Sequence, residues 1–120
     1  MSFLTHLECP SCNHTFEPFL VLNLCPKCSK PLLARYDLEK AAAKIDLKNL
    51  HDRARSIWRF PEVLPVGDPA CRISLGEGWT PLIKAERLGH SAKHDFLYIK
   101  DEGSNPTGSF KARGLGMAVS

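Results

Sequence analysis

Apolar positions along the chain fall in short clusters broken by polar, glycine and proline residues, and none approaches the ~18 residues of a membrane span. Leu32-Leu-Ala-Arg-Tyr36 reads as a strand. Residues 37–44 are rich in strong helix formers with Asp37 placed as N-cap, and a second short helix is predicted over 47–55. Trp58, Phe60, Val63 and Leu64 are spaced to anchor a connector against a core, while Pro61, Pro65, Gly67 and Pro69 interrupt regular structure. Residues 81–85 and 95–100 read as two strands around a turn at 89–94. The second strand is nearly continuous in apolar and aromatic residues, which predicts burial on both faces, as in a helix-covered sheet. A last helix runs from Phe110, with Thr107 or Ser109 as its cap. Gly114 and Gly116 each disfavour a helix interior by about 1 kcal/mol, so this helix is expected to approach a neighbour closely, on a face made by Gly114 and Ala118.

These elements predict an α/β chain in three segments: a small ribbon over 1–36, a helical connector over 37–70, and the beginning of a larger α/β domain over 71–120. With 120 residues, 43% apolar and 24% charged, the composition is ordinary for a globular protein. The N-terminus has neither the charged start nor the apolar stretch of a signal peptide, so a cytoplasmic protein is expected. The formal charge of +3 is weak and its basic residues are scattered, so neither a nucleic acid nor a membrane is expected as a partner.

Four of the five cysteines change this picture. Cys9-Pro-Ser-Cys12 and Cys25-Pro-Lys-Cys28 form two C-x-x-C turns separated by twelve residues. Each turn aims two sulfurs at one point, and two turns complete a tetrahedron around Zn²⁺. Two disulfides would need an oxidising compartment, a redox C-x-x-C is normally single, and iron is the remaining competitor on ligand type. Four thiolates close the site, so its role is structural. A ribbon of about 35 residues buries too little apolar surface alone, and the metal supplies the missing folding free energy. The intervening stretch offers Phe16, Phe19, Leu20 and Leu22 for packing, whereas His6 and His14 read as surface residues and Cys71 as a small packing residue.

The second chemical signal is Gly103-Ser-Asn-Pro-Thr-Gly108, which follows the last strand and leads into the helix carrying Lys111. Gly103 and Gly108 permit unusual backbone angles and Pro106 stiffens the turn. Lys111 falls in the first helical turn, where the helix dipole disfavours an ammonium, and partial burial would lower its pKa further. A neutral amine is what condensation with a carbonyl requires; the same residue types equally fit a surface lysine beside a cap. The glycine spacing also matches a phosphate-binding P-loop, but Ser109 and Phe110 stand where that motif demands Lys and then Ser or Thr. Upstream, Ser74-Leu-Gly-Glu-Gly-Trp-Thr-Pro-Leu82 is a loop whose two glycines let the backbone approach a ligand or a neighbouring loop.

Asn105-Pro-Thr-Gly-Ser-Phe-Lys-x-Arg-Gly114, preceded by Lys100-Asp-Glu-Gly103, resembles the cofactor-lysine segment of the threonine synthases, pyridoxal-phosphate enzymes of the tryptophan-synthase-β type (fold type II). Ser74-x-Gly-Glu-Gly-x-Thr-Pro-Leu82 and Trp58-Arg-Phe-x-x-x-Leu-Pro-Val66 resemble two further segments of that family, and many of its members carry an N-terminal Cys₄ ribbon. The resemblance implies pyridoxal 5'-phosphate held by Lys111 as a Schiff base, Phe110 packed near it, and Arg113 supporting the helix. It implies O-phosphohomoserine as substrate, converted with water to threonine and phosphate, and leaves room for a homo-oligomer. It also implies that this chain corresponds to the N-terminal third of a longer enzyme and is inactive alone. Threonine synthases commonly have Asp after the lysine, where this chain has Ala112; that brings the segment nearer threonine or serine dehydratases and other β-replacement enzymes. A zinc-ribbon binding module for nucleic acid or protein is the reading from another class, and the aromatic-studded basic stripe it needs is absent from the ribbon.

Overall fold

The computed structural model describes residues 1–120. It divides into two compact units, one of residues 1–54, 58–72 and 120, the other of residues 55–57 and 73–119. No helix is long and apolar enough to cross a membrane.

The first unit is built on a three-stranded antiparallel sheet in the order β2-β1-β3, from Leu4–Glu8 (β1), Thr15–Phe16 (β2) and Leu33–Tyr36 (β3). Leu7 is the common partner of Phe16 and Ala34, and a register shift between Leu4 and His6 bends β1. Helix α1, Leu38–Lys44, follows at once because the Asp37 carboxylate accepts from the Lys40 N–H at 2.9 Å, the cap expected from its position. The helix buries Ala41.

The predicted helix over 47–55 is instead a 3₁₀ segment, Leu47–Asp52, distorted at Asn49. Asp46 accepts from the Lys48 N–H and the Asn49 amide, and these local bonds compete with α-helical pairing. Beyond it only single turns form, Ile57–Arg59, Pro61–Val63 and Pro69–Cys71, the last two opened by proline. One of them buries Glu62 at 6% exposure. Arg53 meets both its carboxylate oxygens, at 2.8 and 2.9 Å, while stacking 5.8 Å from the Phe60 ring centroid. The Arg53 guanidinium holds the Glu62 carboxyl below the usual range against the opposing effect of burial. Cys71 is exposed, contrary to the packing role expected of it.

The second unit pairs Leu82–Lys84 (β4) with Tyr98–Lys100 (β5) antiparallel, Ile83 opposite Ile99. Helix α2, Glu86–Ser91, joins them and runs through Gly89, where a turn was expected. Gly89 is required there, since a Cβ would lie 2.6 Å from the His94 carbonyl oxygen. Helix α3, Lys111–Val119, closes the unit. Burial of the strands on both faces is not found: all six strand residues are exposed. A two-stranded ladder accompanied by helices of six and nine residues has too little cover for both faces.

Candidate functional site

The chain brings together two separate constellations. In the first, Cys9 directly follows β1 and the next turn carries Cys12, while a second turn delivers Cys25 and Cys28. The two turns share one geometry. The Asn13 N–H donates to the Cys9 carbonyl at 2.9 Å and the Ser29 N–H to the Cys25 carbonyl at 2.8 Å. Asn13 and Ser29, each just after the second cysteine, adopt left-handed φ values of 55° and 54°. A serine rarely takes that conformation, and the turn's hydrogen bond holds it there.

The four sulfurs lie within 4.8 Å of one another. Cys9 and Cys28 are 3.4 Å apart, Cys12 and Cys25 3.6 Å, and Cys12 and Cys28 3.7 Å. A tetrahedral ion with metal–sulfur bonds of about 2.3 Å places its sulfurs about 3.8 Å apart, so the cluster fits such an ion with little rearrangement. Cys9 and Cys25 are fully buried while Cys12 is exposed. Burial pushes the Cys9 thiol up, but the Cys12 and Ser11 N–H groups and the neighbouring thiols offset this and bring it down to about 6. Cys28, bonded to Cys9 and partly desolvated, is pushed up to about 12. The cluster by itself resists carrying four negative charges, which a dication would remedy. His6 bonds Thr5 and His14 stacks edge-on against Phe16; neither belongs to the sulfur cluster.

The second constellation is the loop between β5 and α3. Asp101 caps a 3₁₀ turn, Glu102–Ser104, by accepting from the Gly103 N–H at 3.0 Å. Gly108 takes φ +68° and closes a turn onto the Asn105 carbonyl at 2.8 Å, whereas Gly103 has no positive φ. The Thr107 hydroxyl donates to the Ser109 carbonyl at 3.3 Å. Lys111 is then the first residue of α3. It is exposed, not partly buried, and its side chain makes no hydrogen bond or ion pair. It borders a cleft of about 330 Å³ with Phe110, Gly114 and Leu115, and the Phe110 ring is 65% exposed beside it.

A polar network centred on Glu102 holds this loop. One Glu102 oxygen accepts from the Thr80 hydroxyl and from Arg113 Nη2, both at 2.7 Å. The other accepts from Arg113 Nε at 2.7 Å and from the Asn105 amide at 2.9 Å. Arg113 first, then the Thr80 hydroxyl, hold the Glu102 carboxyl down at about 2, against the opposing effect of burial. Asn105, 5% exposed, accepts from the Gly78 N–H at 3.0 Å, and the Lys100 ammonium donates to the Thr80 carbonyl. The upstream motif is thereby tied to the lysine loop at both Gly78 and Thr80. Polar residues in both segments were the available signal, but their pairing spans 22 to 33 positions and spacing cannot show it.

Glu77, the glycine-flanked acid, is 3% exposed. One oxygen accepts from the Leu75 N–H at 2.7 Å and the Ser74 hydroxyl at 3.1 Å. The approach expected of α3 occurs here and through Gly116: a Cβ on it would lie 2.8 Å from Glu77 Oε1, whereas one on Gly114 meets nothing within 4 Å. The face of Gly114 and Ala118 is therefore not the close-packed one. Ala112, 6% exposed, lines a separate apolar cavity of about 270 Å³ with Leu75, Leu115 and Val119.

The model of the family described as "Pyridoxal-phosphate dependent enzyme" matches residues 73–120. The chain is 38% identical over 114 residues to a threonine synthase of Methanosarcina acetivorans, a match covering 95% of this chain and 27% of the relative. A threonine synthase of Methanocaldococcus jannaschii is 38% identical over 112 residues, covering 93% and 27% respectively. A threonine synthase of Mycobacterium leprae is 53% identical over 63 residues, 52% of this chain and 17% of the relative. The chain thus spans about a quarter of the length of the first two curated relatives (27% of each). No solved structure matches it.

Proposed function

We propose, from the match of residues 73–120 to the pyridoxal-phosphate dependent enzymes and the likeness to threonine synthases over nearly the whole chain, that this protein belongs to that family and works in converting O-phosphohomoserine and water to threonine and phosphate. The observation that carries this reading is Lys111: an amine with no partner, at the first residue of α3, on a cleft beside an exposed aromatic ring. The residues fit a flat aldehyde cofactor. Lys111 offers a free nucleophile, and Phe110 and Leu115 offer an apolar wall for a ring. When bound, the cofactor supplies an electron sink for bonds broken at the substrate's α-carbon. Lys111 Nζ would hold the cofactor and yield it to the substrate amine, and the freed amine would then take a proton from one substrate carbon and return it to another. Cys9, Cys12, Cys25 and Cys28 would hold a structural Zn²⁺, with residues 1–36 as the ribbon, 37–70 as the connector and 71–120 in the catalytic domain.

Ala112 gave a reason to consider a dehydratase. Its side chain lines the apolar cavity rather than the Lys111 cleft, so its identity bears on packing more than on substrate choice.

The test uses the full-length gene product loaded with pyridoxal phosphate. Borohydride should fix the cofactor onto Lys111, identified by peptide mass, and Lys111→Ala should lose it. O-phosphohomoserine should then yield phosphate and threonine in equal amounts. Keto acids formed from threonine or serine would instead select the dehydratase reading.

A further inference from the structure

Lys111 is tied down by nothing of its own, so its position depends on the backbone of the first turn of α3. That turn is held by Arg113, two residues along, whose guanidinium engages Glu102 at two points 2.7 Å long. The same carboxylate takes the Thr80 hydroxyl and the Asn105 amide, so both of its oxygens are filled and three chain segments converge on it. Resting on the assignment of Lys111 as the cofactor-bearing lysine, we infer that Glu102 is the positioning residue of this site, setting through Arg113 where the Lys111 amine is presented.

Three arguments support this beyond a generic ion pair. First, Glu102–Arg113 is bidentate, and two parallel bonds fix orientation as well as distance, where a lysine in place of Arg113 would fix distance alone. Second, past the buried Asn105 anchor the loop runs through Gly108 at φ +68° with no atom near its missing Cβ, so little packing at that point defines the approach to α3. Third, the strength of the pairing is reflected in a Glu102 carboxyl held at about 2 and an Arg113 raised above its ordinary value. Displacing a reacting group by about 1 Å lowers a rate by about 100-fold, so a clamp of this kind acts on turnover rather than on substrate affinity.

The experiment compares Glu102→Gln, Glu102→Asp and Thr80→Val in the full-length gene product carrying pyridoxal phosphate. Glu102→Gln keeps the shape and removes the charge. It should lower kcat by about 10- to 100-fold with KM changed less than about threefold, by the misplacement argument above. It should also weaken retention of the cofactor on dialysis and shift the pH midpoint of the bound cofactor's absorbance, readouts that loss of stability alone does not move. Thr80→Val, losing the bond to Glu102 and the longer one from Arg113 Nη2 at 3.3 Å while leaving the Glu102–Arg113 pair, should shift the same three readouts in the same direction and less. Glu102→Asp should recover part of the kcat lost in Glu102→Gln. Should Glu102→Gln fail to fold, Thr80→Val and Glu102→Asp carry the test. Folded variants with kcat, cofactor retention and pH midpoint all within twofold of wild type overturn the inference. With borohydride labelling of Lys111 intact in wild type, that outcome removes this inference alone. An unlabelled Lys111 in wild type removes the underlying assignment and this inference with it.

Discussion

Two glycines one turn-fraction apart in α3 are predicted to respond in opposite directions to the same substitution. Either one replaced by alanine gains about 1 kcal/mol of helix propensity. For Gly114 that gain is unopposed, because its Cβ would meet nothing within 4 Å. For Gly116 the Cβ would lie 2.8 Å from Glu77 Oε1 and 3.1 Å from Ile57 Cδ1. A carboxylate at the tip of a glutamate ordinarily swings away at small cost. Glu77 cannot readily do so: it is 3% exposed and its other oxygen is held by Leu75 and Ser74. Overpacking of this kind costs about 1–3 kcal/mol, which exceeds the propensity gain over most of its range. Gly114→Ala should therefore stabilise the full chain by up to about 1 kcal/mol and Gly116→Ala destabilise it by up to about 2 kcal/mol. Urea unfolding followed by circular dichroism separates the two through their midpoints. Equal stabilisation by both substitutions would refute the packing of α3 against Glu77.

Acid should weaken the second unit in a defined window. The Glu102 carboxyl is depressed to about 2 in the folded chain, so its contribution is complete above its ordinary pKa of 4.5 and is lost as pH falls toward 2. Glu102→Gln should flatten that limb of the pH–stability curve. In the sulfur cluster, a thiol reagent should modify only the exposed Cys71 while zinc is bound, and all five cysteines after chelation; prompt labelling of more than one in the zinc-loaded protein would count against the site. Arg53→Met should destabilise the first unit by about 3–5 kcal/mol, since it strands the buried Glu62 carboxylate, and Arg53→Met with Glu62→Gln should recover part of the loss in denaturant titration.

The parts legible in the sequence are those whose geometry is complete within one or two turns of chain. The C-x-x-C spacing converges two sulfurs by backbone geometry alone, and the same turn built twice yields a cluster with all sulfurs within 4.8 Å. Asp37 caps α1 because an aspartate at that place can reach only the N–H groups just ahead of it. Lys111 at a helix start followed from the glycine and proline before it. Where prediction failed, cover was the missing knowledge. The strands of the second unit have the apolar content of buried ones and are exposed, and Cys71 is open to solvent, because burial depends on what lies opposite.

The chain's own sequence determined two sulfur-bearing turns, the helix caps and a lysine placed at the mouth of a helix. Only the tertiary structure decided that Glu102 joins Arg113, Thr80 and Asn105, and that Gly116 rather than Gly114 makes the close approach. The reason is combinatorial as well as geometric. With 16 lysines and arginines and 13 aspartates and glutamates, charge complementarity permits many pairings, and only the path of the loops selects one. Lys111 was visible from the start; the carboxylate that sets its helix in place became visible only when segments 22 residues apart in sequence were seen side by side.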